Sequence, residues 1–224
     1  QRTESARPPL NPIPPTRRPH NHASLNSMKI ILAFFALSAL FRGHSLAAGK
    51  KPLQIFILAG QSNMQGHAKA TTFEHIGMDP LTKPMLTEML GADGKPKVCE
   101  RVWISSIGCA EAEQTGKLTA GFGASGEKIG PEFTFGIYME KATDAPILLI
   151  KTSWGGKSLN YDFRPPSAGA YELDEKQMAS DKADEIKKNA SLNYRMMNEA
   201  VHNVLDNLKD NHPAYDPKAG YEIA

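Results

Sequence analysis

"LQIFILAGQSNM", residues 53–64, decides how the rest of the chain is read. Residues 53–59 are an apolar run of strand length, the pattern of a strand buried on both faces, as in parallel sheets. Gly60 ends the run and Gln61-Ser62-Asn63 follows at once. Ligands of open α/β sheets bind beyond the carboxyl ends of the strands. Ser62 would therefore sit at a sharp turn, its hydroxyl exposed beside backbone N–H groups. An acyl-transfer nucleophile needs those two things, an accessible hydroxyl and an oxyanion hole. Capping a helix or turn is the other ordinary task of a serine after a strand, and spacing alone leaves both readings open. The stretch is not a G-x-S-x-G nucleophile elbow, because Met64 stands where the second glycine would be.

On the carboxyl side, residues 71–97 carry Pro80, Pro84 and Pro96 and read as an irregular insertion. Residues 98–107 read as a second extended segment, and 111–130, with five glycines, as a long loop. A helix starts at Pro131, which suits a first helical position, with Glu132 complementing the dipole. Phe133, Ile137 and Tyr138 fall on one face of it. Ala145-Pro146 ends the helix, and "ILLIKTS" (147–153) is another buried strand. The charge-rich stretch 175–188 reads as a solvated helix or linker. Residues 191–208 place Met197, Val201, Val204, Leu205 and Leu208 on an amphipathic stripe. "GYEIA" (220–224) reads as the start of a strand. Strand, helix, strand, helix, strand is the order of a parallel α/β sheet. A chain that stops inside such a strand is expected to be part of a longer protein.

The chain has 224 residues, 41% hydrophobic and 22% charged, which fits one globular domain. A net charge of +2 gives no reason to expect nucleic acid or an anionic membrane surface as partner. Two cysteines, Cys99 and Cys109, exclude a disulfide scaffold and a Cys/His metal cluster. They either pair, if the chain is exported, or pack as buried thiols. Residues 28–48 read as a secretory signal peptide: Lys29 gives a basic start, 30–41 is apolar, and small residues lead to cleavage near Ala47 or Ala48. The apolar part is too short for a bilayer core of about 30 Å, so an uncleaved anchor is the weaker reading. Residues 1–27, rich in proline, read as a disordered upstream extension. The domain is then 49–224, secreted or periplasmic, without stable membrane association after cleavage.

"GQSNM" after an apolar strand resembles the first block of the SGNH hydrolases, and more narrowly the carbohydrate esterase family 6 and sialate O-acetylesterase group. "ILLIKTSWGGKSL" (147–159) is similar to that group's second block. The resemblance covers about 52–224 and implies a three-layer α/β/α, flavodoxin-like fold with a parallel central sheet, incomplete at the carboxyl end. It implies that Ser62 attacks an acetyl ester on a sugar, with acetylated carbohydrate as substrate and no metal or cofactor. By position, Ser62 supplies one oxyanion N–H and Gly156 a second, with Gly155 as the alternative. Gln61, Asn63 and Met64 would shape the turn and contact substrate. Trp154 flanks the hole, where an indole stacks on sugar or packs.

The group's third block, Trp-x-Gln-Gly, and its Asp-x-x-His base are absent from these residues. The resemblance therefore implies that the third oxyanion donor, the histidine and its carboxylate follow Ala224, and that this fragment alone is inactive. His67 is too near Ser62 in sequence to serve easily, and His212 is expected at the opposite sheet edge. "GFGASG" (121–126) matches G-x-G-x-x-G without opening a helix after a strand, and "GGKS" (155–158) lacks the first glycine of a P-loop. The rival from another class is a non-catalytic carbohydrate-binding relative.

Overall fold

The computed structural model describes residues 50–224. The expected upstream extension and signal peptide lie outside the described residues. β1 (Leu53–Gly60) runs into a one-turn helix, α1 (Ser62–Gln65), then β2 (Ala68–Lys69), α2 (Phe73–Ile76) and α3 (Lys83–Met89). β3 (Val102–Ile107), β4 (Gln114–Lys117) and β5 (Lys128–Ile129) precede α4 (Pro131–Ala142) and β6 (Ile147–Ser153). α5 (Glu175–Met178), α6 (Ala183–Asn189), α7 (Leu192–Asp206) and α8 (Leu208–Asn211) lead to β7 (Tyr221–Ile223).

The main sheet has the order β4-β3-β6-β1-β7. β3, β6, β1 and β7 are parallel, and β4 pairs antiparallel with β3 at one edge. Gly60 lies opposite Ser153, so β1 and β6 finish level. One face is covered by α4, whose Phe133 and Ile137 pack on Val102, Ile104, Ile147 and Leu149. The other face carries α7 and α8, with Val201 and Leu208 against Leu53, Ile55, Leu148 and Ile150. The result is an α/β/α sandwich around a mainly parallel sheet: the parallel sheet was expected from the order of elements, the three layers from the family resemblance. Each fully buried Leu, Ile or Phe in it contributes about 1.5–3 kcal/mol.

Four local expectations are corrected. The glycine-rich stretch 111–130 is not all loop: β4 extends the sheet and β5 pairs with β2, because a partner backbone overrides weak local propensity. The insertion 71–97 holds α2 and α3, and Pro84 sits in the first turn of α3, where proline costs nothing. Strand β3 begins at Val102, not at Val98. Tyr138 turns outward, 47% exposed, with Lys141 Nζ 5.3 Å from its ring centroid.

Candidate active site

Three turns meet at the carboxyl ends of β1, β6 and β3. The first carries Ser62. A Cβ on Gly60 would lie 2.8 Å from Met64 Cβ, so the chain folds back tightly only because that position is glycine. Gln61 then N-caps α1. Its side-chain oxygen accepts the Ser62 N–H at 2.8 Å and the Ser62 hydroxyl at 2.6 Å. Ser62 and Met64 are half-buried, and Asn63 is exposed.

The second turn is 154–156. The Trp154 N–H reaches Gly60 O at 3.3 Å, which carries the β1–β6 pairing one step past the strands. Gly155 lies against α1, since a Cβ there would be 2.8 Å from Gln65 Oε1. Gly156 has φ 68° and open space around its Cβ position. Both glycines are exposed, and neither N–H bonds another described residue. The Trp154 ring leans on Phe163, with centroids 6.1 Å apart.

The third turn, Gly108-Cys109, follows β3. Gly108 has φ 86°, and a Cβ on it would meet Ser153 O and Trp154 Nε1, each at 2.5 Å. Gln65 Nε2 donates to Gly108 O at 3.0 Å, so the side chain of Gln65 ties the serine turn to the other two. Cys109 Sγ lies 3.2 Å from Ser153 Oγ. Beneath the turns, Lys151 and Glu132 form a fully buried ion pair at 2.7 Å.

Ser62 and the glycines of 154–156, predicted from two blocks about ninety residues apart in sequence, are thus brought to one rim. A family model described as carbohydrate esterase, sialic acid-specific acetylesterase, matches residues 52–194. The chain belongs to the sialic acid-specific acetylesterase family. No curated protein and no solved structure gives a significant match. The matched range contains all three turns and the Lys151–Glu132 pair.

In this esterase-family chain, Gln65 and Gly108 join the rim and Lys151 and Glu132 lie beneath it, although the sequence reading gave none of them a place there. The readable signal was Lys151, the one charge in strand β6, but its partners lie far along the chain. His67, His75 and His202 are exposed, and no histidine among the described residues hydrogen-bonds Ser62. His212 is buried against the Trp103 ring at 5.3 Å, and burial lowers its pKa to about 4. Both its ring nitrogens are buried without a partner. Cys99 and Cys109 are both free thiols.

Among the described residues, no group of three or more His, Cys, Asp or Glu is placed to hold a metal. A cleft of about 520 Å³, lined by Trp103, Glu113, Lys117, Asn203, Asn207 and His212 among others, lies over the β3–β4 edge, and Ser62 does not line it.

Proposed function

We propose that this chain belongs to an exported serine esterase that removes O-acetyl groups from carbohydrate, with Ser62 as nucleophile. The observation that carries the reading is that the Ser62 turn and the Gly155-Gly156 turn leave the level carboxyl ends of the neighbouring strands β1 and β6. Ser62 Oγ attacks the acetyl carbonyl and loses its proton to a base. The oxyanion is held by the N–H groups of Ser62 and Gly156, with Gly155 as the alternative. The sugar hydroxyl leaves, and water then releases acetate from the acyl-enzyme. Gln61 now holds the Ser62 N–H, so its side chain must rotate as the oxyanion forms. Asn63, Met64 and Trp154 contact the sugar. On this reading the base is the histidine of an Asp-x-x-His motif in a continuation of the chain, and 28–48 directs export.

The test is labelling of Ser62 in the full-length protein by a fluorophosphonate, read by mass spectrometry, together with p-nitrophenyl acetate turnover. Ser62→Ala is expected to abolish labelling and to lower turnover by orders of magnitude. Turnover that survives Ser62→Ala would sink the assignment. A non-catalytic carbohydrate-binding role has one observation in its favour: the Ser62 hydroxyl bonds Gln61 and no histidine among the described residues. Saccharide binding without ester hydrolysis by the full-length protein would select it.

A further inference from the structure

Lys151 and Glu132 are both 0% exposed, one inside strand β6 and the other in the first turn of α4. Removing two charges from water is costly, and an apolar pair of similar size usually holds a fold at least as well. Stability alone therefore does not account for the pair. What an apolar pair cannot do is donate hydrogen bonds. Lys151 Nζ has three donors and uses all of them: on Glu132 Oε2 at 2.7 Å, on Phe122 O at 2.7 Å and on Gln65 O at 2.9 Å. Glu132 Oε1 accepts the Gly130 N–H at 2.8 Å.

Gly130 is pressed against the end of α1. A Cβ on it would lie 2.9 Å from Met64 O and 3.0 Å from Gln65 O, and a Cβ on Gly66 would lie 2.1 Å from Gly130 Cα. The end of the serine turn is thereby fastened to the sheet, to α4 and to the loop at Phe122. Helix α1 is a single turn of four residues, and a helix that short has no stability of its own. The direction of the Ser62 N–H and Oγ is set by that turn.

We propose that the buried Lys151–Glu132 pair is the positioning device of the serine turn, holding it through the Gln65 and Phe122 carbonyls and the Gly130 N–H. Its consequence for catalysis rests on the proposed esterase function; the anchoring itself does not.

Amide hydrogen exchange at Gln65 and Gly66, whose N–H groups bond Gln61 O at 2.9 Å and Ser62 O at 3.1 Å, tests the anchoring directly. In the wild-type chain both amides are expected to exchange as slowly as those of β6. Exchange as fast as that of the exposed Ala92 and Asp93 would overturn the proposal, and this arm needs no variant to fold. In Lys151→Met/Glu132→Leu, shown to be folded by circular dichroism, both amides are expected to exchange roughly tenfold faster or more, while β6 stays protected. Fluorophosphonate labelling of Ser62 should slow by a similar factor, which a merely structural pair would not cause in a folded variant. Unchanged exchange and unchanged labelling in that variant would overturn the proposal. If Ser62 of the full-length protein, base included, never labels but the exchange pattern holds, the anchoring stands and the esterase function falls.

Discussion

Ser62 and the two cysteines show what a single residue's neighbours decide. The motif around Ser62 is local, so its place after a strand was legible. Its hydrogen-bond partner was not: Gln61 takes both the N–H and the hydroxyl of the serine, a choice of rotamer rather than of sequence. For Cys99 and Cys109 the sequence left pairing and packing equally open. The structure separates them by the whole of β3, six residues or about 20 Å of strand, whereas a disulfide needs Cα atoms within about 7 Å. Cys99 is fully buried, and burial, with Glu140 beside it, pushes its thiol up to about 12. Cys109 is half-buried. A thiol reagent such as dithionitrobenzoate is expected to titrate one cysteine in the native protein and two in denaturant. Two fast native thiols would contradict the burial of Cys99, and none in either state would indicate a disulfide.

Helix α4 shows the same division at the scale of an element. Its start at Pro131 and the inward positions of Phe133 and Ile137 followed from capping chemistry and periodicity. Which flank of that face meets the sheet did not. The buried stripe runs through Phe133, Gly136, Ile137 and Glu140, and Tyr138 falls outside it. Gly136 is the point of closest approach, where a Cβ would lie 2.0 Å from Leu118 Cδ2 and 3.4 Å from Leu149 Cδ1. Gly136→Ala is expected to cost about 1–3 kcal/mol by overpacking, read as a lower urea midpoint. Gly126→Ala, with open space around the same position, serves as the control and should leave the midpoint nearly unchanged. Equal midpoints for the two variants would show that α4 has room to move away from the sheet.

At the scale of the whole molecule, both sides of the sheet bury ionisable groups, paired charges at α4 and an imidazole without a hydrogen-bond partner on the α7–α8 side. His212 is 8% exposed, and burial lowers its pKa from 6.5 to about 4. A depressed pKa means that the folded state resists protonation. The stability that depends on neutral His212 is complete above pH 6.5 and is lost as the pH falls toward about 4. Between pH 7 and pH 5 the wild type should lose about 2 kcal/mol more unfolding free energy than His212→Leu. Parallel urea titrations at the two pH values would measure the difference, and equal losses would show that His212 is already solvated in the fold. By itself the sequence determined the strands β1 and β6, the helices α4 and α7 and the serine turn, because apolar period, capping residues and a glycine after a strand act within a few residues. Tertiary structure alone decided the β4 edge and the anchoring of the serine turn. Gln65 meets Gly108 across 43 positions and Lys151 across 86, and contacts at that range exist only once the sheet has brought its strand ends to one rim.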